Sequence, residues 1–273
     1  NWRVNIGAGS YENRETKGVD NSWNRTECFL FANGTWDFTK QAGQRWFMEA
    51  ARRRGMNNFL FFTNSAPYFM TRSGATVAAD SKCVNLREDK FDDFARFLVS
   101  CAKHFRKKGY GVNYISPLNE PNGEWHSNSF QEGTFATKAD IFRMVKELDK
   151  AIEDEKLNTK IIIPEIGEMK YLFEIDKNER VPDDIIHSMF YENGKYSVLG
   201  MKNLYNCVAA HDYWTAYPAE LLVDMRNRVH EAISKNGHDT KFWASEYCIL
   251  EKNEEITMPS SPTKSINLGL YTA

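Results

Sequence analysis

The chain of 273 residues lacks a CxxC pair and any cysteine–histidine cluster at zinc-ligand spacing. Its five cysteines (Cys28, Cys83, Cys101, Cys207 and Cys248) are odd in number, so at least one thiol is free within the chain. Cys101, Cys207 and Cys248 sit in apolar stretches and read as small buried hydrophobes. Cys28 and Cys83 fall in loops, where a bridge between them is open but unsupported by spacing. No apolar run reaches the roughly 18 to 20 residues that a membrane-spanning helix needs. Neither sign of charge dominates, and a formal net charge of -2 gives no reason to expect nucleic-acid or anionic-membrane partners. Also missing are a P-loop, a GxSxG elbow and an HxH pair, while the six histidines are scattered. No metal and no organic cofactor is therefore expected.

What is present is ordinary globular material, 42% hydrophobic and 26% charged, enough for one large core. Aromatic residues reach 14%; core packing accounts for most, and a site that stacks sugar faces would draw on the rest. Asn24-Arg-Thr26 and Asn33-Gly-Thr35 match the short N-glycosylation pattern. The N-terminus carries no signal peptide: the run from Asn1 to Ile6 already reads as a strand, and Leu270-Tyr-Thr-Ala273 reads as helix. The chain is thus expected to start and stop inside secondary-structure elements.

Short apolar runs at 2–6, 59–62, 112–115, 160–163, 207–210 and 242–244 alternate with helical patterns near 44–54, 90–108, 138–154, 183–192 and 218–235. Phe91, Phe94, Phe97, Leu98 and Cys101 fall on one helical stripe. Three of the helical patterns end in cations followed by a glycine, at Gly55, Gly109 and Gly237. Cations favour the negative end of the helix dipole and glycine accepts a left-handed backbone, so these runs are caps rather than nucleic-acid patches. Strand and helix in strict alternation predict a parallel α/β fold. Gly7-Ala-Gly9 lacks the third glycine of a dinucleotide fingerprint, so a (β/α)8 barrel fits better than a Rossmann sheet. Six strands are readable where a closed barrel has eight.

In such barrels the chemistry gathers at the C-terminal strand ends. Two glutamates close apolar strands there, Glu120 in Leu118-Asn-Glu-Pro121 and Glu246 in Trp243-Ala-Ser-Glu-Tyr247. Acetal hydrolysis needs one carboxyl group to protonate the leaving oxygen and another to attack or shield the developing cation. Each glutamate has a competing reading as a loop carboxylate paired to an arginine. Glu165 is a rival, but Pro164 and Gly167 around it look like a turn, which ranks it as a rim residue. Asp212 reads as a hydrogen-bond partner.

Leu118-Asn-Glu-Pro121 closing a strand resembles the acid/base signature of the large barrel clan that includes cellulases and β-galactosidases. Trp2-Arg-Val-Asn-Ile-Gly7, Asn64-Ser-Ala-Pro-Tyr-Phe-Met-Thr71, Ile115-Ser-Pro-Leu-Asn-Glu-Pro121 and Trp243-Ala-Ser-Glu-Tyr-Cys248 occur in the right order. Together they resemble glycoside hydrolase family 30 over nearly the whole chain. Gln131-Glu-Gly133 looks most like its endo-β-1,6-galactanase branch.

The resemblance implies that Glu120 is the general acid/base and Glu246 the nucleophile of a retaining double displacement. It implies that Asn119 bonds the sugar 2-hydroxyl and that Tyr213, in His211-Asp-Tyr213, contacts the nucleophile; His211 joins the substrate-binding set. Trp125, Tyr68 and Trp214 would be sugar platforms. Phe69 stands where relatives often have Trp, which leaves the sugar open but not the reaction. The clan places its acid/base after strand four and its nucleophile after strand seven. Residues 1–273 are then expected to form a partial TIM-barrel catalytic domain with strands two to seven, lacking strands one and eight and the accessory β-sandwich. The substrate would be a polysaccharide or oligosaccharide, and the location extracellular or periplasmic, as is usual for relatives. A β-1,6-glucanase, a glucosylceramidase-like hydrolase and a non-catalytic carbohydrate-binding relic are the alternatives.

Overall fold

A computed structural model of the chain describes residues 2–14, 19–78, 82–126, 129–175, 183–215 and 218–247. Cys248 and the expected helical end at 270–273 lie outside the described residues. Six strands form one parallel sheet in sequence order: β1 (Trp2–Asn5), β2 (Phe59–Phe62), β3 (Val112–Ser116), β4 (Lys160–Ile166), β5 (Leu204–His211) and β6 (Lys241–Glu246). Between consecutive strands run α1 (Ala42–Arg53), α2 (Phe91–Lys107), α3 (Lys138–Asp154), α4 (Ile185–Phe190) and α5 (Ala219–Ser234). A parallel neighbour is reached only through such a crossover. Because the strand order never reverses, the sheet has no switch point of the doubly wound kind and winds as a barrel. Among the described residues β1 and β6 each pair on one side only, so the barrel is incomplete. The number and order of strands agree with the expected run from strand two to strand seven.

Local chemistry explains the elements. The α2 stripe faces the sheet, with Phe91, Phe94, Phe97, Leu98 and Cys101 all buried. Asp92 and Asp93 lie in its first turn and Arg106 and Lys107 in its last, matching the helix dipole. A capping box between Thr137 and Asp140 starts α3 at the predicted residue. Gly55, Gly109 and Gly237 have φ of 85°, 84° and 75°, the left-handed backbone expected after a helix. β2, β4 and the second half of β5 are buried on both faces, as in the interior of a parallel sheet, while the edge strands β1 and β6 are more open. The outer side chains of the strands and the helices make the main core. The inner face carries a smaller cluster of Leu60, Ile162, Cys207 and Ala209, roofed by Phe62, Tyr114, Tyr205 and Trp243.

Cys28, Cys83, Cys101 and Cys207 are free, so the bridge left open between Cys28 and Cys83 is not formed. Phe69 packs partly buried against the main core. The register slips between Pro164 and Ile166 and again between Ala210 and His211. Such irregularities re-aim the side chains beyond them. They occur where the sheet delivers its polar residues.

Candidate active site

The C-terminal strand ends open onto a cleft of about 920 Å³, whose lining includes Asn119, Glu120, Trp125, Tyr213, Trp214 and Glu246. A second hollow of about 400 Å³ lies between α2 and α3 on the outer surface, and no strand-end residue lines it. The loop after β3 brings Glu120 into the cleft, with φ of 46°, and β6 ends on Glu246. One oxygen of each carboxylate and one nitrogen of His211 all lie within 4.8 Å of one another.

Glu246 is held from three sides. The Arg3 guanidinium contacts Oε1, the Tyr213 hydroxyl donates to Oε2 at 2.8 Å, and His211 Nδ1 stands 3.5 Å from Oε2. Arg3 also donates to Asn119 Oδ1 at 2.6 Å and lies over the Phe62 ring at 3.5 Å. Asn119 is almost fully buried, fixed beside Glu120 at the inner wall. His211 Nδ1 is 2.8 Å from Glu120 Oε1, and its Nε2 is 3.2 Å from Glu165 Oε2. Both ring nitrogens face carboxylates, an arrangement that favours the doubly protonated imidazolium. Burial works against that charge, yet the hydrogen bonds to Glu120 and Glu165 outweigh it and raise the imidazole to about 9. Arg3 and His211 are the basic side chains at the centre of this cluster.

Glu165 is not the rim residue that its Pro-Glu-x-Gly setting suggests. It lies within β4, is 0% exposed and has φ of 57°. The turn-like composition marks a register slip inside the strand, which tips the carboxylate under His211. Burial alone would raise its pKa. The Arg3 charge 3.5 Å away, His211 and the Ser245 hydroxyl overcome this and hold it at about 2. Asp212 is equally dry, and burial raises its pKa against the pull of Arg226, which donates to it at 2.7 Å. It is a partner of α5, as its hydrogen-bond reading anticipated.

The three aromatic candidates separate. Trp214 is 59% exposed on the cleft wall. Trp125 borders the cleft but is 6% exposed, and its indole N–H donates to the Glu120 carbonyl at 2.7 Å. Tyr68 rests against Gly9 and edge-on to Phe69, and is not among the residues that line the cleft. Phe130, 63% exposed on the cleft wall, was not foreseen. The Gln131-Glu-Gly133 run also acquires a reason: a Cβ on Gly133 would stand 2.3 Å from the Trp125 ring, and buried Glu132 accepts from the Ala8 and Ser10 amides.

The model of O-glycosyl hydrolase family 30 matches residues 1–273. The chain belongs to that family. A conserved exported protein from Bacteroides fragilis, known by crystal structure, is 76% identical with a TM-score of 0.92, over 99% of this chain and 55% of its own. An exo-β-1,6-galactobiohydrolase of Bifidobacterium longum is 30% identical over 119 residues, 42% of this chain and 8% of that protein. The catalytic domain of a family 30 xylanase from Talaromyces cellulolyticus shares the fold, with a TM-score of 0.59 at 19% identity over 99% of this chain and 55% of that one. The chain therefore spans about half the length of the solved structures it matches, and less of the enzyme from Bifidobacterium. No helix among the described residues is long and apolar enough to cross a membrane.

Sequence reasoning missed Arg3, Ser245 and the inner position of Glu165. Arg3 had a readable signal, since it is the one charge in a short strand that begins a family motif.

Proposed function

We propose that the parent protein is a retaining O-glycosyl hydrolase of β-1,6-linked galactan, with Glu120 as general acid/base and Glu246 as nucleophile. The observation that carries this reading is the approach of the two carboxylates, an oxygen of each within 4.8 Å. Retaining enzymes set their carboxyl groups about 5 to 5.5 Å apart, and inverting ones roughly 6.5 to 9.5 Å, to admit a water.

The surroundings separate the roles. Arg3 and Tyr213 fix the Glu246 carboxylate from one side and leave it free to attack the anomeric carbon. Glu120 meets His211 and faces the cleft, placed to give a proton to the leaving oxygen. In the second half-reaction Glu120 takes a proton from water, the water oxygen bonds to the anomeric carbon, and the Glu246 ester is released. Two displacements restore the starting configuration. Asn119, fixed by Arg3, is placed to meet the 2-hydroxyl, and Trp214 offers a face for sugar stacking.

β-1,6-Galactan is favoured by Gln131-Glu-Gly133 and by the printed activity of the Bifidobacterium relative. The motif favours internal cleavage, whereas that relative's name favours release of a disaccharide from the chain end. Digesting β-1,6-galactan and β-1,6-glucan with the parent protein tests both points. A ladder of galactan oligomers supports endo action, and a single disaccharide supports exo action. Product from glucan alone reassigns the sugar, and no product from any β-linked glycan favours a binding relic. The exported Bacteroides protein supports an extracytoplasmic location.

A further inference from the structure

The third glutamate has no place in a two-carboxylate mechanism, yet it is the driest of the three. Its side chain is 0% exposed, against 15% for Glu120 and 25% for Glu246. It touches His211 on the ring nitrogen opposite the catalytic pair. The other nitrogen of that ring stands between the pair, 2.8 Å from Glu120 and 3.5 Å from Glu246. We propose that Glu165 is a positioning residue that fixes His211 as an imidazolium, so that one Nδ1–H serves whichever catalytic glutamate is ionised.

The inference rests on the roles assigned above. Before the first displacement Glu246 is the anion and Glu120 carries the proton, so the Nδ1–H is drawn to Glu246. In the glycosyl-enzyme Glu246 is an ester, and Glu120 must become the base. The same N–H then serves Glu120, whose Oε1 already stands 2.8 Å from Nδ1, with no turn of the ring. No proton leaves the imidazolium in either state. This requires a ring that stays charged and does not rotate, and the Glu165 side supplies both conditions. Ser245 and Arg3 pin Glu165, and Glu165 accepts from Nε2. The charged and titratable groups around His211 are Glu120 after β3, Glu165 on β4, Glu246 on β6 and Arg3 on β1, with Asp212 and the neutral Tyr213 at its own strand end. The Cys207 thiol lies near Glu165, where burial keeps it protonated. A buried imidazolium without its own counter-ion would give up its proton.

The test uses the parent protein, the E165Q and E165D variants, and nitrogen NMR of His211 beside pH profiles of kcat/KM on β-1,6-galactan oligosaccharides. The native ring is expected to carry both protons throughout neutral pH. In E165Q one proton is lost by neutral pH. Both limbs of the bell then move to higher pH, by about one unit, because a neutral ring no longer favours the ionised carboxylates beside it. E165D keeps the charge but withdraws it by one methylene, so the limbs stay in place while kcat falls. A purely structural Glu165 would lower the rate in E165Q evenly across pH, with the ring still doubly protonated, and either result overturns the proposal. If Glu246→Ala keeps full turnover, the catalytic assignment fails instead. A dead Glu246→Ala beside an E165Q whose limbs do not move sinks only the role of Glu165.

Discussion

Glu165 and Glu246 end neighbouring regions of one sheet and stand within a few ångström of the same histidine, yet their surroundings are opposite. Glu165 lies on a dry floor, where Arg3, His211 and Ser245 all meet its Oε2. Glu246 lies in the wet cleft, held on one side by Arg3 and Tyr213 and open on the other to a space of about 920 Å³. Residue type and strand-end position do not distinguish them. Access to a substrate does: a carboxylate needs one unblocked approach to attack carbon, and a fully enclosed one can only set the charge of its neighbours.

The largest effects should come from the wet side. Glu246→Ala is expected to lower kcat by roughly 10⁴-fold or more, as removal of a nucleophile does. Added azide should restore turnover and give a product of inverted configuration, read by NMR of the first anomer formed. Glu120→Ala should cost about 10²- to 10⁴-fold on galactan. Aryl glycosides, whose leaving group needs no proton, should be spared in the first step. Equal losses on both substrates would break the division of roles.

On the floor the expected losses are in stability. Asp212 is 0% exposed and pairs with Arg226, itself 6% exposed. Asp212→Ala leaves a buried guanidinium without its partner, which should cost about 3 to 5 kcal/mol in urea denaturation of the parent protein. The surface pair of Arg96 and Asp92 on α2 has the same charges at 2.9 Å with both side chains more than half exposed. Its Asp92→Ala change should cost less than about 1 kcal/mol. Comparable losses at the two sites would mean that the floor is wetter than its geometry implies.

The floor also sets a pH window. The His211 pKa is raised from 6.5 to about 9, so its contribution is complete below 6.5 and is lost as pH climbs through 9. The Glu165 pKa is lowered from 4.5 to about 2, so its contribution is complete above 4.5 and is lost as pH falls towards 2. Thermal stability should therefore hold a plateau between about 4.5 and 6.5 and decline on both sides, by on the order of a few kcal/mol. In the His211→Gln variant the alkaline decline should shrink. An unchanged alkaline slope would show that the ring is neutral in the native protein.

Much of this was legible in the residues, for identifiable reasons. Helix α3 starts and ends where its pattern predicted, because Ile141, Met144, Val145 and Leu148 fall on one buried stripe and Thr137 caps it. Strands β4 and β5 run further than their apolar runs, since a buried parallel strand can carry polar residues once other side chains meet them. Glu120 and Glu246 were readable from their place after apolar runs and from ordered motifs. Glu165 was misplaced because proline and glycine around a carboxylate look alike in a turn and in a slipped strand. Arg3 was marked by its charge within a strand, but its partner Glu246 lies 243 positions away, so the sequence does not say what that charge meets. Phe130 follows no strand directly, and no periodicity points to a side chain on a loop.

The smallest expected effect separates the two tryptophans that sequence reasoning treated alike. Trp125 belongs to the floor: its indole N–H holds the Glu120 carbonyl, and its ring fills the space that Gly133 leaves. Trp125→Phe keeps most of the packing and removes the donor, so it should cost about 1 to 3 kcal/mol in stability and lower kcat, since the Glu120 backbone loses a tether. Trp214 belongs to the cleft, with 59% of its surface exposed and little packing to lose. Trp214→Ala should leave stability within about 0.5 kcal/mol. Its KM on long galactan should rise about tenfold with kcat nearly unchanged, the loss of one stacking face in uniform binding. If the change at Trp214 lowers kcat instead, that ring acts on the transition state, and the line between floor and cleft must be redrawn one residue further out.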